Sequence, residues 1–173
     1  MNKKVFILLI LINFVALLSK AQCNDYQYHI LESVSNLYDV SDNTYDSFIM
    51  IRSAFEAEDY NIMKEYADSA KDYIELLKST AYNARTSIEL AYNTAEMCYC
   101  LNGQKATGNL SDKANIIYDN SKEISKIYKK SLKTSDKEIA KRYVFQIMEL
   151  LERTQVVCDK ASKDCVNAQE ACY

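Results

Sequence analysis

Apolar and small residues recur along this chain at alternating steps of three and four, the spacing of a buried stripe on an α-helix. The clearest run is Met63, Ala67, Ala70, Ile74, Leu77, Ala81, Ala84, Ile88, Ala91, Ala95 and Cys98. Asp59 is placed to cap its start, and Asn102-Gly103 to end it, because glycine tolerates the left-handed conformation of a helix stop. A second run comprises Ala140, Val144, Ile147, Leu151, Thr154, Cys158, Ala161, Cys165, Ala168 and Cys172, opened by a capping box from Ser135 to Glu138. Asn109-Leu110-Ser111-Asp112 opens another helix, with Ile117, Ser121, Ile124 and Tyr128 inward. The first segment presents Ile30, Val34, Leu37, Ser41, Thr44, Phe48, Ile51 and Phe55, with a kink or break expected at the polar stretch 41–44.

Four helical segments follow, over 24–57, 60–100, 110–133 and 136–171, with 101–109 as the one longer connection. Short links between long helices make antiparallel neighbours, so the expected fold is all-α, an up-down-up-down four-helix bundle. Composition agrees: the chain has no proline and only two glycines, too little turn chemistry for a strand-rich fold.

Residues 1–21 change the picture of compartment. Lys3 and Lys4 precede an apolar run from Val5 to Leu18, and Ser19-Lys20-Ala21 places small residues at −3 and −1. This is the layout of a secretory signal peptide cleaved after Ala21, leaving 22–173 as a single bundle domain. The run is short for a membrane span, so no membrane insertion is expected after cleavage. The ending Ala21-Gln22 resembles the leaders of exported proteins of the Bacteroidetes, which implies a secreted or periplasmic location.

Removing residues 1–21 takes away three lysines and no acid, so the formal net charge falls from −3 to −6. The densest basic cluster, Lys126, Lys129, Lys130 and Lys133, has Asp and Glu interspersed around it and reads as a solvated helix face. A nucleic-acid partner is not expected.

Cys23, Cys98, Cys100, Cys158, Cys165 and Cys172 are an even set in an exported chain and imply disulfides. Cys158, Cys165 and Cys172 are seven apart on one helix, about 10 Å of rise per step, too far to pair with one another while the helix is intact. Their partners are therefore sought among Cys23, Cys98 and Cys100; fraying after about residue 162 would allow Cys165–Cys172 instead. Level counting gathers all six at one pole, with three interhelical bridges expected and Cys98–Cys158 favoured. The inward cysteines also resemble those of bacterial copper-storage bundles. That resemblance would imply a periplasmic carrier of Cu(I) or a small ligand, but those bundles space their cysteines by four, not seven.

Catalytic patterns are missing. His29 is the only histidine and reads as a packing or surface residue. There is no His-Glu-x-x-His zinc pattern, no glycine-rich phosphate loop and no Gly-x-Ser-x-Gly turn. The chain reads as non-catalytic, and no cofactor is implied. Fourteen tyrosines are its one excess. Tyr66, Tyr73, Tyr92 and Tyr99, in pairs seven apart, are the candidate face for a protein partner or self-association, since tyrosine is favoured at contact surfaces. Glu58-Asp59-Tyr60, Met63, Tyr66-Ala67, Ala70 and Tyr73 resemble the turn and second helix of a tetratricopeptide repeat, which would imply a small helical adaptor. No second copy follows at a 34-residue offset, as such a repeat would require.

Overall fold

The computed structural model describes the backbone of residues 3–172 and the side chains of Cys23–Cys172. The expected cleavage after Ala21 lies outside the residues whose side chains are described. Helix α1 (Lys3–Glu56) is followed by α2 (Tyr60–Ser69) and α3 (Lys71–Met97), which form one rod, then by α4 (Leu101–Ser131) and α5 (Lys137–Gln169). Helix α1 packs against α3 and α5, and α4 closes the square against the same two. The result is an up-down-up-down four-helix bundle stapled by disulfides at one pole, not an open array of repeats.

The polar stretch 41–44 does not break α1. Asn43 Nδ2 donates to the Asp39 carbonyl at 2.7 Å and Thr44 Oγ1 to that of Val40 at 2.6 Å. The side chains bond to their own helix, one turn back, instead of competing with it. The expected single helix 60–100 is jointed at Ala70, whose N–H is shared between the carbonyls of Tyr66 and Ala67. Ala70 keeps right-handed helical angles, so the rod continues.

Helix starts follow local chemistry. Asp59 Oδ1 accepts from the N–H groups of Asn61 and Ile62 at 2.7 and 3.1 Å, as its position foretold. At α5 the cap is Asp136, accepting from Glu138 and Ile139 at 2.9 and 3.1 Å, in place of the capping box expected from Ser135. Both carboxylates satisfy amide donors that the first helical turn leaves free.

The segment 101–109 is the main correction to the expected boundaries. It is the first part of α4, and neither glycine has a positive φ. The rod α3 ends earlier, in a Schellman turn: Cys100 N–H donates to the Ala95 carbonyl at 2.9 Å and Tyr99 N–H to that of Glu96 at 3.1 Å. Tyr99, with φ 57°, takes the left-handed position usually held by glycine. Cys100 then starts α4, its Sγ accepting from the Gly103 N–H at 3.3 Å.

The core consists of the expected stripes of α2–α3, α4 and α5, all buried up to the cysteines at the pole. In α1 the burial is shifted. Ser33, Val40, Ser47 and Ala54 are fully buried, whereas Val34, Ser41, Phe48 and Phe55 lie only partly so. Helix α1 has two neighbours to face. Its centre carries small side chains that let them approach, and its larger rings are displaced to the seam.

Candidate functional site

The cysteines define one end of the bundle. Cys23 pairs with Cys98 and Cys100 with Cys172, with Cα–Cα separations of 5.7 and 5.8 Å. The first bridge ties α1 to the end of α3, and the second ties the α3–α4 junction to the end of α5. The favoured pair Cys98–Cys158 does not form, and there are two bridges among the described residues instead of three. Continuing α4 through 101–109 adds about 13 Å of rise. That moves the level of Cys100 toward the far end of α5, where Cys172, just beyond the helix, meets it, while Cys158 sits well below, beside Leu37.

Cys158 and Cys165 are free and buried. The Cys158 thiol donates to the Leu37 carbonyl at 3.1 Å. Burial pushes both thiols up to about 12, and the neighbouring Asp159 and Asp164 add to the shift. They are protonated, enclosed groups, the opposite of a reactive thiolate. Nearby, Tyr26 donates its hydroxyl to the Ala168 carbonyl at 2.8 Å and is likewise pushed up to about 12, chiefly by burial. No group of three or more metal-ligating side chains gathers among the described residues. His29 Nδ1 lies 3.5 Å from Glu32 on its own helix, and the imidazole packs edge-on to Tyr28.

The four candidate tyrosines do not share a face. Steps of seven from Tyr66 and Tyr73 lead to Ser87, whose hydroxyl meets Ser33 of α1 at 3.1 Å, so these two lie on the flank toward α1. Tyr92 lies on the opposite flank, its ring edge 3.9 Å from where a Cβ on Gly108 of α4 would sit. Tyr99 stands beyond the helix in the turn, 87 % exposed. A seven-residue repeat keeps residues on one side of a helix, but Tyr66 and Tyr73 adjoin the buried stripe on one side, Tyr92 on the other, and Tyr99 has left the helix.

A more continuous apolar surface lies elsewhere, on the seam of α1 and α5. A groove of about 440 Å³ is lined by Thr44, Tyr45 and Phe48 of α1 and by Leu151, Glu152, Gln155 and Val156 of α5. Leu151 is buried, Phe48 half-buried, and Tyr45 and Val156 are more than half exposed at the rims. Gln155 Nε2 donates to Ser41 Oγ at 2.8 Å and to Asp159 Oδ1 at 3.0 Å, while its buried Oε1 accepts nothing. About two turns further toward the opposite pole, the rings of Phe55 and Phe145 pack at a tilt with centroids 5.8 Å apart, and Phe145 is itself exposed. The sequence signal for this site was present in Phe48 and Phe55, but periodicity assigned both to the core.

In comparison with known proteins, the chain matches no family model, and none of the curated proteins is similar enough to serve as a relative.

Proposed function

We propose that this chain is an exported, non-catalytic helical bundle that works by binding a protein partner, and that the α1–α5 seam receives an amphipathic helix of that partner. The observation that carries the reading is the seam itself, an apolar floor with Tyr45 and Val156 on its rims. A groove between two antiparallel helices suits the apolar face of a third, with side chains inserting between those already present. Export is supported by the leader pattern at 1–21 and by two disulfides, which persist in oxidising compartments.

The test uses the full oxidised chain as bait in the envelope fraction of its own source, beside a Tyr45→Asp/Val156→Asp variant. Both substituted positions are exposed, so the variant should fold with an unchanged helical signal. A partner retained by the natural chain and lost by the variant supports the reading. Equal retention by both, or a strict monomer with no partner and no seam protection in hydrogen exchange, overturns it. The carrier reading fares less well, since four cysteines are paired and the two free thiols are sealed in the core.

A further inference from the structure

The lysines that the sequence places in one run acquire a different meaning in three dimensions. Lys122, Lys126 and Lys129 follow steps of four and three and so form one stripe on α4 about 10 Å long, which Lys133 extends in the turn just beyond the helix. Lys78 of α3 faces the stripe across a groove of about 400 Å³, and Lys130 flanks it. The lining of that groove is these six lysines and Ser125, without a carboxylate. Its acids stand at the margins: Glu75, Asp68 and Asp72 on the α2–α3 side, all three near enough to add to the burial that raises the pKa of the Tyr128 hydroxyl of α4, and Asp119 and Glu123 on α4 itself. Only two of the six lysines have an ion pair among the described residues. Lys122 lies 3.9 Å from Asp119 and Lys126 3.1 Å from Glu123, both pairs within α4 and exposed, hence weak and easily exchanged.

Lys129 and Lys130 also complement the negative end of the α4 dipole. That explains cations in the last turn, but not Lys78, Lys122 or Lys126, which stand farther from the helix end. Six like charges along one groove, in a chain of net charge −3, repel one another and gain most from an anion that spans them.

We propose that this α3–α4 groove binds a linear polyanion carrying closely spaced phosphate or sulfate groups. The rise between successive stripe lysines is about 4.5 to 6 Å, so a single small anion can meet only one or two, whereas an extended polymer engages the row. Multiple contacts of this kind release bound counterions, and the affinity falls steeply with salt. Lysine ammonium groups act here as point charges without the planar fork that selects one oxyanion geometry, so phosphate and sulfate polymers are both accommodated.

The experiment measures binding of the full oxidised chain to heparin and, separately, to long-chain inorganic polyphosphate over a range of salt. Two charge-matched variants are compared: Lys126→Glu/Lys129→Glu/Lys133→Glu in the groove, and Lys105→Glu/Lys160→Glu/Lys163→Glu near the opposite pole. All six positions are exposed, and the helical signal checks folding. The expected result is salt-sensitive binding of at least one polymer, weakened at least tenfold by the groove variant and much less by the control. Binding of only one polymer identifies which oxyanion source the groove accepts. No binding of either at low salt, or an equal loss in both variants, overturns the proposal.

Discussion

Gly103 in the first turn of α4 lies against Cys172 beyond α5, so closely that a Cβ at position 103 would overlap the Cys172 sulfur. The same Cβ would stand 3.0 Å from Cys100 Sγ and 3.2 Å from the Cβ of Ala95. The bridge between Cys100 and Cys172 therefore occupies the space that the missing side chain leaves. This glycine is required for close approach within a helix, not for a turn.

Gly103→Ala should accordingly cost about 1–3 kcal/mol, the range for forcing an extra methyl into a packed site. In a Cys100→Ala/Cys172→Ala background the overlap disappears. The same substitution should then be neutral or stabilising by up to about 1 kcal/mol, since alanine is the better helix former. Denaturant unfolding of the four chains measures the coupling. Equal effects in both backgrounds would show that the bridge is not what confines position 103.

The turn between α3 and α4 holds a tyrosine where glycine is cheaper. Tyr99 is almost fully exposed, so its replacement gives up little packing. Tyr99→Gly should stabilise the protein by about 1 kcal/mol by removing the strain of a left-handed L-residue. A thermal melt reads the gain, and a lower midpoint would contradict the Schellman geometry.

The two bridges close loops of nearly equal length, with sequence separations of 75 and 72. On the chain-entropy account each should contribute on the order of 4 kcal/mol, and by similar amounts. Cys23→Ala/Cys98→Ala and Cys100→Ala/Cys172→Ala should thus lower the denaturant midpoint comparably. Peptide mapping of the oxidised chain should recover these two pairs and no bridge to Cys158.

The buried thiols make stability depend on alkaline pH. Cys158 and Cys165 keep their protons up to about 12 when folded, against an ordinary value of 9.0. The unfolded chain therefore binds fewer protons between these limits. The contribution is whole below about pH 9 and is lost as pH rises toward 12. Cys158→Ser, whose hydroxyl does not titrate in this range and can still donate to Leu37, should flatten the fall. Unfolding midpoints at pH 8 to 11 test this, and thiol reagents should label two cysteines only once the chain is unfolded. Rapid labelling under native conditions would contradict the burial.

Local spacing was enough to define the elements and most of their buried faces. From Met63 to Ala95 and from Ala140 to Ala168, helical spacing is a local property, and each stripe position proved to be core. The Asp59 cap was legible for the same reason. Relations between elements came from packing alone. In α1 the periodicity allowed two neighbouring registers. Packing against both α3 and α5 chose the one that puts Ser33, Ser47 and Ala54 at the centre, leaving Phe48 to line the seam groove and Phe55 to meet Phe145 farther along the seam. Disulfide pairing depends on the relative levels of helix ends, which accumulate every error in length. Reading 101–109 as a loop displaced α5 by about two and a half turns, and with it the partner of Cys98. The lysine groove shows the same division. Its stripe lies in the sequence of α4, but only the packing of α3 brings Lys78 across from it, because no local pattern encodes which flank of one helix meets which flank of the next.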